Sequence, residues 1–126
     1  MRKEIENWWK QAIDDLEKAR ILFKTEKFDG AVFFCQQAVE KSLKSLCLLN
    51  FKDIPKGHSI IYFAKLVKAP KEMLSGIRDL NPEYLITRYP DMANEMPAEI
   101  YDKEIATKHM KTAEEVMKWV KKQIQR

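Results

Sequence analysis

At 126 residues, with three glycines and two cysteines, the chain has room for one domain, 1–126, built around one core, and lacks the cysteine density of a disulfide- or zinc-stapled scaffold. A net charge of +4, carried by lysines and glutamates mixed along the whole length, excludes a polyelectrolyte tail and permits a nucleic-acid partner without demanding one. No apolar run approaches the roughly 18 residues of a membrane span, and the acidic, amphipathic start is no secretory leader, so a cytoplasmic location away from membranes is expected.

Residues 3–24 read as the first helix. Ile5, Trp8, Trp9, Ala12, Leu16, Ala19 and Phe23 recur every three or four positions and share one face, with Lys10, Asp14 and Lys18 opposite. Residues 25–28 form a turn, and Asp29 is the predicted N-cap of a second helix over 30–49. Its apolar residues cover about half the circumference, more than one stripe, so this helix needs several neighbours and belongs at the centre of a bundle. Cys35 and Cys47 then stand about 18 Å apart along one helix axis, too far for a bridge, and read as buried thiols.

A loop over 50–57 leads to a short third helix over 58–68. Pro70 opens a fourth with Met73, Leu74, Ile77 and Leu80 on its apolar side, and Asn81-Pro82 restarts a short turn through Tyr84, Leu85 and Ile86. Residues 87–101 hold two prolines and no periodicity, which predicts a long loop of the kind that often carries function. The last helix spans 103–124 with Asp102 as N-cap and Ile105, Ala106, Ala113, Val116, Val120 and Ile124 as its stripe. The predicted class is all-α: a four-to-five-helix up-and-down bundle with no competing strand pattern.

Several side chains carry chemistry. Arg88 offers a rigid fork for phosphate, and Tyr84, Tyr89 and Tyr101 offer rings for base stacking, with Asp91 beside them. The structural alternative pairs Arg88 with Asp91 or a helix carboxylate to pin the loop, with the tyrosines packed beneath. His58, at a helix start, caps exposed amides or serves as a base with Arg88 as the only nearby stabiliser of charge. His109 lies on the apolar stripe of the last helix, where a half-buried, hydrogen-bonded imidazole is expected. Gln37, Lys41 and Lys44, with Glu40 in i,i+4 relation to Lys44, form a polar strip on the second helix, either solvated or facing phosphate. No metal-ligand spacing or phosphate-cradling glycine loop occurs, so no metal and no cofactor is expected. The abundance of Lys and Glu is a composition met in proteins of thermophiles.

The run from Phe28 to Leu46, FDGAVFFCQQAVEKSLKSL, resembles the signature of HEPN domains. Three further features agree: the Trp-bearing helix before it, Gly57-His58-Ser59-Ile60 at the start of the third helix, and Arg88-Tyr89-Pro90-Asp91 in the loop. The resemblance covers nearly the whole chain. It implies a helical bundle that usually forms a homodimer, often beside a small nucleotidyltransferase in a toxin–antitoxin pair. Catalytic members of the family are metal-independent ribonucleases that use an Arg followed a few residues later by a His. That motif is absent: the first His after Arg88 is His109, 21 residues on. The expected role is therefore a nucleotide- or RNA-binding module or the partner of a nucleotidyltransferase, rather than an enzyme. The alternatives are a ribonuclease built on His58 and Arg88, and a structural dimer acting only through protein contacts.

Overall fold

The computed structural model describes residues 2–125, whose regular elements are all helices, with no strands among them. The helices are α1 (Arg2–Lys24), α2 (Phe28–Phe51), α3 (Ile60–Leu66), α4 (Lys71–Leu80), α5 (Glu83–Ile86), α6 (Pro90–Ala93), α7 (Pro97–Ile100) and α8 (Lys103–Ile124). Five are substantial and three are single turns, so the bundle expected from periodicity is present. Among the described residues no helix is long and apolar enough to cross a membrane.

The two long N-terminal helices form an antiparallel hairpin. Ala12 and Ala19 of α1 are fully buried, and small side chains there let the backbone of α2 approach closely. Glu26 closes α1 in the left-handed region at φ 60°, with Glu26 N donating to Phe23 O and Lys27 N to Leu22 O, a Schellman stop made without glycine. α2 is the hub, packed by α1, α3, α5, α7 and α8. Val32, Cys35, Ala38, Val39, Leu43 and Leu46 form the middle of the core, and α8 covers it with Ala106, Ala113, Val116 and Val120. α4 lies so close to α8 that a Cβ on Gly76 would stand 2.6 Å from Thr112 Oγ1. Only glycine fits there without a shift.

The structure corrects four sequence expectations. Asp29 is not the cap of α2: the helix begins at Phe28, with Lys27 at the N-cap and no side-chain cap bond. The chain is already turning through Lys27, whose carbonyl accepts from Ala31 N at 3.0 Å, so the helix starts one residue ahead of the aspartate. α3 is shorter than 58–68 and is capped by Ser59, whose hydroxyl accepts from Tyr62 N at 3.3 Å; His58 precedes it and caps nothing. Residues 87–101 are not a plain loop, because Pro90 and Pro97 each open one helical turn. Proline presets the helical φ and lacks only an amide hydrogen that the first turn would not use, and a single turn is too short to show periodicity. Finally, the polar strip of α2 is no solvated face: Gln36, Glu40 and Lys44 are buried. The cap at Asp102, which accepts from Ile105 N at 2.8 Å, and the apolar stripe of α8 are as expected.

Candidate functional site

Phe33 and Gln37 lie one turn apart on α2, facing the segment that α5 sends toward α6. Together with His58, Tyr84, Leu85, Arg88 and Tyr89 they line an open cavity of about 230 Å³. The Arg88 Cζ stands 4.9 Å from the Phe33 ring centroid and 5.6 Å from that of Tyr89, so the guanidinium is held against two aromatic faces while it stays exposed. His58 rests against Tyr84, with ring centroids 4.9 Å apart and planes inclined at 33°. A planar cation and several rings around one hollow can hold a phosphate and stack a base.

Behind His58 the polar groups of α2 run inward. His58 Nδ1 is 3.1 Å from both carboxylate oxygens of Glu40. Glu40 also accepts from Lys44 Nζ at 2.9 Å and Gln36 Nε2 at 3.2 Å, and Gln37 Nε2 donates to Gln36 Oε1 at 2.7 Å. Lys44 in turn lies 5.5 Å from the ring centroids of Trp8 and Phe63. This buried ammonium therefore has a carboxylate and two ring faces in place of water. Among the described residues no buried side-chain nitrogen or oxygen lacks a hydrogen-bond partner.

A second buried cluster holds α5, and with it Tyr84 and Arg88, onto α8. Glu83, 7 % exposed, accepts from Tyr101 Oη at 2.9 Å and has His109 Nε2 3.1 Å from its carboxylate, while Thr87 Oγ1 donates to the Glu83 carbonyl. Burial, reinforced by the Glu83 charge, pushes the Tyr101 phenol well above its ordinary value, so it remains a donor. Burial likewise raises the Cys35 thiol to about 12 and the Cys47 thiol to about 11. Both cysteines are free and buried, and thiols so far from ionisation are unreactive.

Of the residues singled out from sequence, His58, Tyr84, Arg88 and Tyr89 come together at the cavity, and Gln37 joins them. Tyr101 does not: it is buried against Glu83. Lys41 reaches Asp15 on α1 at 2.6 Å, and Lys44 is taken by Glu40, so neither lysine faces the cavity. Asp91 is exposed in the first turn of α6 and does not line the cavity either. Arg88 is not bridged to Asp91; its neighbours are the Phe33 and Tyr89 rings. Sequence reasoning missed Phe33 and the orienting carboxylate of Glu40. The signal was an aromatic interrupting a polar strip at positions 33, 37 and 40, one helical face.

Two wider hollows, of about 480 and 450 Å³, follow the seam of α1 and α8. Phe23 and Met110 line one and Trp9, Ile13, Leu16 and Met117 the other, each alongside charged residues such as Glu114. The arginine there, Arg20, is paired with Glu114 at 3.2 Å across the seam. Among the described residues no three His, Cys, Asp or Glu side chains gather as a metal site would require.

Comparison with known proteins places this geometry in a context. The family model of the HEPN domain matches residues 5–123. A candidate toxin of Methanocaldococcus jannaschii is 34% identical over 125 residues, covering 89% of this chain and 82% of that protein. A crystal structure from Thermus thermophilus superposes with a TM-score of 0.86 at 28% identity, covering 94% of this chain and 96% of that one. An archaeal HEPN homologue gives 0.83 at 34% identity over 95% and 97% of the two chains. A HEPN domain protein of Thermotoga maritima, 22% identical, shares the fold with a TM-score of 0.75 over 95% and 98% of the two chains.

Proposed function

The chain belongs to the HEPN domain family, and on that premise we propose that it is a single-domain nucleotide- or RNA-binding module that works as a homodimer within a toxin–antitoxin type pair, beside a nucleotidyltransferase-like partner. One observation carries the nucleotide reading: the Arg88 guanidinium lies over the Phe33 and Tyr89 rings and lines a cavity together with His58 and Tyr84. A guanidinium held over ring faces loses little freedom when it forks onto a phosphate, and the neighbouring rings accept a base of any identity. The cavity suits one nucleotide unit rather than a large ligand, since drug-sized pockets start near 300 Å³. The likeness to a candidate toxin supports the paired role.

A second reading, metal-independent RNA cleavage, is favoured by one observation. His58 and Arg88 are 30 positions apart in sequence yet line the same cavity, which supplies a base and a charge stabiliser without the family's usual short motif. One experiment separates the readings. Fluorescently labelled single-stranded RNA is titrated with protein in EDTA at about 50 and 200 mM salt, wild type beside Arg88→Ala, and the same samples are run on a denaturing gel. Binding that weakens with salt and falls about tenfold or more in Arg88→Ala, with the RNA intact, is the expected result. Cleavage in EDTA that Arg88→Ala abolishes makes the protein a ribonuclease. RNA neither bound nor cut overturns the nucleotide reading in favour of a purely protein-binding role.

A further inference from the structure

We infer that Glu40 is a positioning residue that fixes His58 as a hydrogen-bond acceptor at Nε2, so that the cavity takes a ligand hydroxyl beside the phosphate and prefers ribo- to deoxyribonucleotides. The part concerning the ligand rests on the nucleotide reading above; the part concerning Glu40 and His58 stands on geometry alone.

Glu40 is 3% exposed and has both oxygens 3.1 Å from His58 Nδ1. An ionised carboxylate only accepts, so Nδ1 must carry the hydrogen. In a neutral imidazole the other nitrogen is then an acceptor. Lys44 Nζ at 2.9 Å and Gln36 Nε2 at 3.2 Å already donate to Glu40, which supplies the carboxylate with a counter-charge and leaves its remaining lone pairs for the Nδ1–H. The ring cannot turn over freely. Tyr84 lies against one face at 4.9 Å, and the His58 carbonyl is 3.5 Å from Gln36 Nε2, so backbone and side chain are both tied to the same turn of α2.

The imidazole is nevertheless reachable, its side chain 54% exposed at the edge of the cavity. Nε2, turned away from Glu40, is left for a ligand. A phosphate oxygen offers Nε2 no proton and would go to Arg88, which lines the same cavity. A hydroxyl offers one, and the sugar hydroxyl next to a phosphate is the group that distinguishes RNA from DNA. A buried carboxylate, otherwise only a cost to the core, thus selects one imidazole tautomer.

The decisive measurement is a long-range ¹H–¹⁵N correlation spectrum of the histidine rings. There are two histidines in the chain, so His58→Ala assigns the signals. The neutral ring of His58 is expected as the Nδ1–H tautomer in wild type and to shift toward Nε2–H in Glu40→Gln. An Nε2–H ring in wild type overturns the proposal, and it does so without any variant that must fold. So does an unchanged ring in a folded Glu40→Gln protein. For the ligand, a single-stranded oligoribonucleotide and its deoxy counterpart are compared by anisotropy. Wild type is expected to bind the RNA about five- to tenfold more tightly, the effect of one hydrogen bond, with the gap closing to within about twofold in His58→Ala. Equal affinity in wild type overturns the hydroxyl assignment. Binding of neither overturns the nucleotide reading, and the hydroxyl assignment with it, while the spectrum still judges Glu40.

Discussion

Replacing Tyr101 with phenylalanine removes one oxygen and leaves the ring in place. That oxygen donates to Glu83 at 2.9 Å inside the protein, and Glu83 keeps its other partner, His109, at 3.1 Å. A hydrogen bond to a buried charged group contributes about 1.5–3 kcal/mol, and with His109 Nε2 still 3.1 Å from the carboxylate we take about 2 kcal/mol. An unfolding entropy of about 2.1 cal/mol/K per residue gives about 0.26 kcal/mol/K for a chain of this length. Tyr101→Phe should therefore lower Tm by roughly 7–8 °C. Thermal melts followed by circular dichroism test this directly. Hydrogen exchange should place the loosening at α5 and α7 rather than in the α1/α2 hairpin. Affinity for RNA at 25 °C should change less than about twofold, the size of a few tenths of a kcal/mol, because Tyr101 does not line the cavity. A Tm change below about 2 °C would refute the buried contact, and lost binding at unchanged stability would return Tyr101 to the ligand.

Gly76→Ala should destabilise by about 1–3 kcal/mol despite its better helix propensity, since the new Cβ would meet Thr112 Oγ1 at 2.6 Å and Cγ2 at 3.1 Å. The double variant with Thr112→Ala should recover wild-type stability in urea titrations, and simple additivity would contradict the clash. Alkali should unfold the protein. The thiols of Cys35 and Cys47 and the Tyr101 phenol are raised in the fold, so their protonated forms favour the native state below about pH 9, and that contribution is lost as pH climbs toward 11 to 12. A urea midpoint that stays flat from pH 8 to 11 would contradict this sign. Arg88→Lys keeps the charge but loses the planar fork that lies over Phe33 and Tyr89; RNA affinity should drop severalfold while Tm moves by no more than about 2 °C.

Periodicity was enough to find α1, α2, α4 and α8, because each buries a long stripe whose spacing survives any choice of neighbour. The half-apolar circumference of α2 even announced its central place. What periodicity could not deliver were the one-turn helices at Pro90 and Pro97, too short to repeat, and the fate of the charges on α2. Glu40 and Lys44 look like an exposed i,i+4 pair in sequence, and whether such a pair is solvated depends on what packs over it. Here Trp8 and Phe63 arrive from α1 and α3 and cover the lysine. The cavity was half legible: Tyr84, Arg88 and Tyr89 lie close together in sequence and stay close in space. Their meeting with Phe33 and His58 depends on α5 packing against α2, a contact between distant segments.

The lid that α8 forms over the middle of α2 has a bearing on how the protein is made. Residues 2–51 can pair into the α1/α2 hairpin as soon as they leave the ribosome, but the groove that holds Cys35 stays open until Met110 arrives, its Sδ ending 3.3 Å from the Cys35 Sγ. At translation rates of about 5–20 residues per second, an interval of several seconds separates the two. During it the most apolar helix of the chain is half-dressed, and it is then that a holding chaperone or a misdirected helix would engage it. Cys35 is a built-in clock for that interval: a thiol reagent applied to stalled nascent chains should label it before α8 emerges and be shut out afterwards.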